Sequence, residues 1–363
     1  MSAAKVTRVL FRLLAIFVLV STLIPLLTSE EWFVRAFDFP RLQLVGITVI
    51  AIGLMYSLEY RRKKRAKVWL ILLIVAVIYQ GYKIYPYTKL SPFQTLYTEY
   101  DGRDTVSFSV LVSNVLQTNT EYSKLVSMVE EYNPDILLVL EGDDGWETGL
   151  EELEKDYLYT IKVPLDNTYG LLLYSRLPLR GEEVNYLVED DIPSIYTEVL
   201  LSNNTWVSFY GVHPRPPAPG ESDDSRERDA EIVIVGKKAY DETKPVVVAG
   251  DFNDVAWSQT TRLFQEVSGL LDPRIGRGFY NTFNADNILF RWPLDHVFHS
   301  KDFKLIEMEV LDGIGSDHFP IYASLSYEPV ESFEQDSVPR DEDTEKEAEQ
   351  TIEEGMSDED DSE

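Results

Sequence analysis

The sequence predicts an α+β protein in which packed β-sheets, covered by helices, follow a set of transmembrane helices. Three observations support this prediction. The first 83 residues contain three long apolar stretches, and the residues from about 105 onward form many short, β-branched runs with few helical ones. Charge is also divided along the chain: residues 1–83 carry 12 Lys and Arg against 4 Asp and Glu, whereas residues 328–363 carry 2 against 17. We therefore expect three physically different segments.

The N-terminal segment, residues 1–83, is predicted to be a membrane anchor. Its apolar stretches cover residues 9–27, 42–58 and 68–82. A transmembrane helix needs about 20 mainly apolar residues, so the second and third stretches are slightly short and would borrow flanking aromatic residues. A cleaved signal peptide followed by buried helices is the alternative. A signal peptide alone, however, would not explain two further apolar stretches.

The basic residues predict how this anchor is oriented. Lys5, Arg8 and Arg12 lie at the start of the first stretch, and six basic residues fill positions 61–67 between the second and third. Cytoplasmic loops are enriched in Lys and Arg. We therefore expect a multi-pass protein that contacts the lipid bilayer, with a cytoplasmic N-terminus and everything after Tyr82 on the extracytoplasmic side.

Residues 84–104 are interpreted as a linker and residues 105–327 as the α+β domain. Helices are predicted over residues 121–132, 225–240 and 257–267, because each combines helical periodicity with a plausible boundary. The predicted strands are β-branched or apolar runs: 105–115, 135–141, 170–175, 195–201, 206–212, 244–250, 294–298 and 320–327. Their order within the sheets cannot be deduced from the sequence.

Residues 328–363 are predicted to be a disordered acidic tail. They carry a net charge of −15, contain almost no aromatic residues and show no apolar periodicity. Such a tail solvates the protein in most cases. Binding of calcium or of a partner protein by this tail is the less favoured alternative.

Composition excludes several kinds of site. The chain has no cysteine, which rules out disulfides, thiolate metal sites and cysteine nucleophiles. It has four histidines, His213, His296, His299 and His318. A zinc site with several histidines therefore has few candidates. We expect His299, and His296 as well, to be ordinary surface histidines.

Polar residues that can bind metal recur at the ends of the predicted strands. They are Asn114, Glu141, His213, Asp251, Asn253, Asp295, Asp317 and His318. Carboxylate and amide oxygens suit a hard cation such as Mg²⁺ or Mn²⁺, and a histidine paired with a carboxylate can move protons or stabilise charge on phosphorus. The sequence has no serine-hydrolase elbow and no glycine-rich phosphate loop. The candidate site therefore favours metal-assisted hydrolysis of a phosphate ester.

Each of these residues also has an ordinary structural interpretation. Asn114 and Asn253 are common turn formers, and Asp251 could cap the following helix. Glu141 could be a solvated strand end, and His213 could simply begin the extended PRPPAP loop. Only the complete set is convincing.

The ordered motifs SNV, LVLE, YGLLLYSR, GVHPRPP, VVVAGDFN, PLDHVF and GSDH resemble the endonuclease/exonuclease/phosphatase superfamily. The resemblance covers about residues 105–327, and GDFN and SDH are its most specific parts. With the preceding apolar stretches, the chain looks most like deoxyribonuclease- and sphingomyelinase-like members of the membrane-anchored bacterial type. The resemblance implies a four-layer α/β/β/α sandwich.

The resemblance also implies a role for each residue. Glu141 matches the principal metal-binding glutamate, with Asn114 and Asp317 on the same metal. Asp251 matches the aspartate that orients or deprotonates the attacking water, and Asn253 helps to hold phosphate and metal. The remaining matches are His318, which contacts the scissile phosphate, Asp295, which orients His318, and His213, which contacts phosphate or protonates the leaving oxygen.

The expected function is therefore a Mg²⁺- or Mn²⁺-dependent phosphoesterase that uses in-line attack by activated water. Residues 84–327 carry a net charge of −22, the wrong sign for gripping nucleic acid, so a lipid head group or small phosphoester is favoured over a nuclease substrate. A membrane-tethered binding module without turnover is the alternative from another class. A transport component has little support, because the three apolar stretches lack central charged residues.

Overall fold

The computed structural model describes residues 3–27, 29–58, 64–100 and 106–357. The first helices are α1 (Ala3–Leu23), α2 (Trp32–Arg35), α3 (Arg41–Leu58) and α4 (Lys64–Ile84), with short 3₁₀ helices at Ile24–Leu26 and Tyr85–Tyr87. Two of these helices contain spans apolar enough to cross a membrane, Val9–Leu26 and Lys67–Tyr87, with mean hydropathies of 2.5 and 1.7. The third apolar helix, Arg41–Ser57, is shorter. Helices therefore form at all three predicted stretches, and two of them meet the length requirement.

The remaining helices and all the named strands follow in the second part of the chain. The strands are β1 (Ser107–Asn114), β2 (Ile136–Leu140), β3 (Tyr159–Val163), β4 (Leu171–Ser175), β5 (Leu179–Asn185), β6 (Ser194–Leu200), β7 (Trp206–Val212), β8 (Val246–Asp251), β9 (Asp295–His299), β10 (Phe303–Val310) and β11 (Ile321–Tyr327). The helices are α5 (Tyr122–Tyr132), α6 (Asp144–Gly149), α7 (Arg226–Asp241), α8 (Gln259–Ser268) and α9 (Glu342–Met356), with 3₁₀ helices at Glu151–Lys155 and Pro329–Glu334.

The strands form two sheets that pack face to face. One sheet has the order β10-β11-β1-β2-β4-β3 and the other the order β5-β6-β7-β8-β9. Apolar side chains from both sheets meet between them; Leu138 and Phe209, for example, belong to one buried cluster. Separate buried clusters place α5 and α6 on the outer face of the first sheet and α7 and α8 on that of the second. The α+β, four-layer prediction is confirmed.

Three strands were not predicted, and all three lie at sheet edges. They are β3, β5 and β10. An edge strand has a neighbour on one side only and needs no continuous apolar run, so it lacks the signal that reveals a central strand. In β5, for instance, five of the seven residues are exposed.

The acidic C-terminal segment contradicts the prediction of disorder over residues 342–356. Helix α9 packs against α7 and α8 through buried Thr344, Ala348 and Gly355 and half-buried Ile352. Asp341 caps its N-terminus, and Lys237 donates to Glu345 at 2.6 Å. The spacing of these four residues is helical, but Thr, Ala and Gly are too weakly apolar to make the stripe visible among so many acids. Residues 358–363 lie outside the described part of the chain.

The segments that flank the apolar helices contact the α+β domain directly. Trp257 Nε1 donates to the carbonyl of Asp38 at 2.7 Å, and Tyr87 Oη donates to the carbonyl of Ala256 at 2.5 Å. Tyr87 belongs to the segment interpreted as a linker, and its ring is buried. Residues 84–100 thus pack on the domain as part of its surface.

Candidate active site

The polar residues predicted from strand ends converge at one edge of the sandwich. Asn114 ends β1, and Glu141 follows β2; these two strands are parallel neighbours. His213 follows β7 and Asp251 ends β8, and these strands are also parallel neighbours. The carboxyl ends of parallel strands lie at the same edge of a sheet, and the register of β8 with β9 pairs Asp251 with Asp295. The two face-to-face sheets therefore bring the set together.

The centre of the site is a buried chain of Asp295, His318 and Asp251. His318 Nδ1 lies 2.8 Å from Asp295 Oδ2, and His318 Nε2 lies 3.5 Å from Asp251 Oδ2. All three residues are at most 5% exposed. Burial alone would lower the pKa of His318, but the two carboxylates outweigh it and raise that pKa to about 10. His318 is therefore an imidazolium held by two acids.

His213 lies on the other side of Asp251 and has the opposite electrostatic state. Its Nε2 atom is 3.9 Å from Asp251 Oδ2, and its ring packs against Tyr169 at a centroid distance of 5.5 Å. Burial lowers the pKa of His213 to about 4, with the charge of His318 adding to the effect and Asp251 opposing it. The ring is neutral at pH 7, and its buried Nδ1 atom has no hydrogen-bond partner among the described residues.

Glu141 and Asn114 form the third part of the site. Asn114 Nδ2 donates to Glu141 Oε1 at 2.9 Å and approaches Asp251 Oδ2 at 3.3 Å. The backbone N–H of Gln117 donates to Glu141 Oε2 at 3.2 Å. Glu141 has a φ of +62°, a left-handed conformation that costs a non-glycine residue energy and is often found at functional positions. Burial raises its pKa.

Asp317 and Asn253 lie at the margins of the candidate site. Asp317 precedes His318 and is half-buried, and its negative charge adds a small part to the rise in the pKa of Glu141. The backbone N–H of Asn253 donates to Asp251 Oδ1 at 2.8 Å, and its side-chain Nδ2 donates to the carbonyl of Pro214 at 3.0 Å. Asn253 thus holds Asp251 in place in the structure, and its amide nitrogen is occupied by the chain itself.

The donor set fits a hard divalent cation on the Glu141 side. A carboxylate offers about four lone-pair positions, and Glu141 accepts only two hydrogen bonds from the described residues. Oxygen ligands are the kind that Mg²⁺ and Mn²⁺ prefer. Asp251, Asp295 and His318 also bring ligand atoms within 4.8 Å of one another. His318, however, is protonated and bonded to an acid, so this cluster is better suited to proton chemistry.

The sequence did not reveal three further residues of the site, and two histidines predicted at the surface are buried. The missed residues are Gln117, whose contribution is a backbone N–H, Tyr169, and Phe283, whose ring lies 4.9 Å from that of His318. Tyr169 begins the YGLLLYSR motif, which could have revealed it. Phe283 and Gln117 lie in loops without a comparable signal.

His296 and His299 are buried, which contradicts their interpretation as surface residues. His299 Nε2 pairs with Thr95 Oγ1 at 2.9 Å, and His296 Nε2 pairs with the carbonyl of Asp254 at 3.0 Å. Both lie on β9, whose five residues are all buried, so the alternation of the strand carries no information about exposure. Neither histidine is among the active-site residues described above.

Comparisons with known proteins agree with this architecture. A sequence profile described as the endonuclease/exonuclease/phosphatase family matches residues 107–318. No curated protein sequence matches the chain significantly.

Two solved structures give the same fold at low sequence identity, and a third is less similar. TDP2 from D. rerio, crystallised with a single-stranded DNA product, has a TM-score of 0.50 and 17% identity, covering 60% of this chain and 98% of its own. An endonuclease/exonuclease/phosphatase from Beutenbergia cavernae has the same TM-score and identity, covering 61% of this chain and 72% of its own. Mannosyl-6-phosphatase Bt3783 from Bacteroides thetaiotaomicron has a TM-score of 0.47 and 18% identity, covering 60% and 99%.

Proposed function

The chain belongs to the endonuclease/exonuclease/phosphatase family, whose members act on phosphate ester bonds, and from this premise we propose that it is a membrane-anchored, divalent-metal-dependent phosphoesterase. Its substrate would be a phosphodiester or phosphomonoester, with a lipid head group or small phosphoester favoured. One observation carries the proposal: the buried ring of His318 lies between Asp295 and Asp251, and Asn114 links Asp251 to Glu141.

Asp251 is the proposed base. Its pKa is raised, first by burial and then by the charge of Asp295, which brings it closer to the value that suits proton transfer at neutral pH. The backbone N–H of Asn253 occupies Oδ1, and Oδ2 faces both histidines and Asn114. A water molecule held at Oδ2 would give its proton to Asp251 as it attacks phosphorus in line with the leaving oxygen.

The two histidines would act differently. His318, fixed by Asp295, would place a positive charge beside the phosphoryl oxygens, where negative charge increases during attack. It is also the protonated group that can supply a proton to the leaving oxygen. Because His213 is neutral, it would contribute a hydrogen bond to the phosphate and no full charge.

Glu141 would hold Mg²⁺ or Mn²⁺, with Asn114 and Asp317 beside it. The cation would supply charge neutralisation at the phosphoryl and leaving oxygens when bound. Glu141 is fixed for this role by Asn114 and by the N–H of Gln117.

The proposed location is the extracytoplasmic face of a membrane, with the N-terminus in the cytoplasm and α1, α3 and α4 as three spans. Two spans meet the length and hydropathy requirement, and α3 packs against both α1 and α4. Residues 1–83 would form the anchor, 84–104 the connection and 105–327 the catalytic domain. The charge of −22 over residues 84–327 favours small or lipid-borne phosphoesters over long nucleic acids.

The test is a substrate panel on the whole 363-residue chain in detergent micelles. Sphingomyelin, phosphatidylinositides, a generic phosphodiester and plasmid DNA are each incubated with Mg²⁺, with Mn²⁺ or with a chelator. We expect metal-dependent hydrolysis that Glu141→Gln and Asp251→Asn each lower by at least about 10²-fold. Undiminished hydrolysis in the chelator or in either variant would refute the assignments. A preference for DNA would favour the nuclease alternative, and no hydrolysis of any substrate would favour a binding module.

A further inference from the structure

The loop formed by residues 283–292 exposes three consecutive apolar side chains at its tip. Ile288 is 78% exposed, Leu289 70% and Phe290 48%. The stem of the loop is held by backbone hydrogen bonds, such as Asn284 N–H to the carbonyl of Phe290 at 3.2 Å, so the tip projects as a defined structure. A contiguous exposed apolar patch on an ordered loop commonly marks an interaction surface.

The tip lies against the start of an apolar helix. Gln43 Nε2 donates to the carbonyl of Leu289 at 2.8 Å, and the ring of Phe39 packs edge-to-face on Trp292 at a centroid distance of 5.5 Å. Gln43 is the third residue of α3, so at 1.5 Å per residue it lies about 3 Å along that helix. Side chains of α3 such as Ile50, 61% exposed, continue this apolar surface away from the domain.

The base of the same loop touches the candidate active site. The ring of Phe283 contacts that of His318, and the backbone N–H of Ala285 donates to the carbonyl of Asp317 at 2.7 Å. Leu289 lies six positions after Phe283 in the chain, a stretch that spans at most about 20 Å when fully extended. One short loop therefore connects His318 to the first turn of α3.

We propose that residues 288–290 insert into the outer surface of the bilayer and thereby hold the active-site edge against lipid head groups, so that the substrate is a phosphoester carried by a lipid. The inference rests on the membrane anchoring and phosphoesterase activity proposed above. The bilayer is the favoured occupant because the tip is continuous with the exposed apolar surface of α3. Ile, Leu and Phe beside Trp292 are also residues that enter the membrane interface favourably.

Insertion can be measured without any catalytic activity. The chain has no cysteine, so Leu289→Cys labelled with an environment-sensitive fluorophore reports on one site only. The full chain is placed in phosphatidylcholine nanodiscs with or without brominated lipid, and Leu158→Cys, at a side chain 72% exposed on the α+β domain, is the matched control. We expect at least two-fold stronger quenching by brominated lipid at position 289. Equal quenching at both positions would overturn the proposal, as would protection of the label only in nanodiscs that hold two copies.

The substrate part of the proposal has its own test. The triple variant Ile288→Ser, Leu289→Ser, Phe290→Ser is compared with Leu158→Ser on sphingomyelin and phosphatidylinositides in phosphatidylcholine vesicles, and on soluble dihexanoyl forms of the same lipids. We expect kcat/KM of the triple variant to fall at least ten-fold on vesicles and to stay within two-fold on soluble lipids. An equal fall on both, or no fall on vesicles, would overturn the role in lipid recognition. If no phosphoester is hydrolysed at all, the proposed function and this lipid substrate fail, and the quenching result still decides insertion.

Discussion

Two clusters of buried charge lie on either side of Asn253, and they are built differently. On one side, the carboxylates of Asp251 and Asp295 both face His318, and Asp295 Oδ1 has no hydrogen-bond partner among the described residues. On the other side, Arg228 pairs with Asp229 at 2.7 Å and with Asp254 at 3.3 Å. Arg35 adds a second cation, 3.2 Å from Asp229.

The two clusters are joined through one residue. The backbone N–H of Asn253 bonds to Asp251, and its carbonyl accepts from Arg228 Nη1 at 2.8 Å. The Arg228 cluster balances two acids with two arginines and supports the loop. The His318 cluster contains more acids than bases, so its carboxylates repel one another, and a divalent cation bound nearby would reduce that repulsion. Comparing the clusters suggests that function lies where buried charge is unbalanced.

The largest expected effect comes from removing members of the unbalanced cluster. His318→Ala and Asp251→Asn should each lower kcat about 10²–10⁴-fold, because one removes the charge proposed to lie beside phosphate and the other removes the proposed base. Thermal unfolding in metal-free buffer should show no loss of stability for Asp251→Asn, since the substitution removes repulsion from Asp295. A large fall in Tm for Asp251→Asn would mean that this cluster is structural after all.

Breaking the balanced Arg228 cluster should instead lower the stability of the fold. Arg228→Met leaves Asp229 and Asp254 buried without their main partner and should cost about 3–5 kcal/mol of unfolding free energy. Arg226→Ala, at the first residue of α7, is the control: it removes the partly exposed pair with Asp224, which precedes the helix, and should cost less than about 1 kcal/mol. Urea titration followed by tryptophan fluorescence measures both. Similar costs for the two variants would contradict the difference between buried and surface pairs.

Glu231 is a third case of buried charge, and it tests the comparison of the two clusters further. Glu231 lies two residues after Asp229 on α7, is 2% exposed, and its Oε1 atom has no partner among the described residues. Burial, helped by the charge of Glu189, raises its pKa to about 8. The folded state keeps this proton up to that pH, whereas the unfolded chain releases it near pH 4.5. The contribution of Glu231 to the free energy of unfolding should therefore be most favourable below pH 4.5 and should fall as the pH rises toward 8.

Replacing Glu231 tests this sign directly. The native chain should lose stability as pH rises from 5 to 8, and the Glu231→Gln variant should not. The unfolding free energy of the variant relative to the native chain should therefore rise by about 2–4 kcal/mol over this range. Asp241→Asn, at the exposed end of the same helix, is the matched control and should follow the native pH profile. Unfolding curves at pH 5, 6.5 and 8 provide the measurement, and parallel profiles for all three proteins would show that Glu231 is ionised and solvated.

How far the sequence predicted the site depends on where each contact comes from. Asn114, Glu141 and Asp251 could be predicted because an apolar strand delivers each of them to a sheet edge. Gln117 could not, since any residue supplies a backbone N–H. The link from Arg228 to the carbonyl of Asn253 was equally hidden, because a buried arginine on a helix has the same sequence signature as an exposed one.

The fold shows the same limit. Central strands are long apolar runs and were predicted, whereas the edge strands β3, β5 and β10 were not. Helix α9 was not predicted because the face that contacts α7 uses small residues. A Cβ on Gly355 would lie 2.4 Å from Ala230 Cβ, so this close approach requires glycine. Packing that depends on the absence of a side chain leaves no hydrophobic pattern to read.

The smallest expected effect belongs to Asn253, the residue between the two clusters. It has a φ of +51°, which glycine adopts readily, so Asn253→Gly should keep both backbone hydrogen bonds and cost less than about 1 kcal/mol of stability. What is lost is the side-chain bond to Pro214 and any contact with substrate. We expect kcat to fall about ten-fold or less, and Asn253→Ala, which is strained at this φ, to lose more of both activity and stability. A fall in kcat as large as that of Asp251→Asn would instead mean that the Asn253 amide contacts phosphate or metal directly. Asn253 would then belong to the His318 cluster.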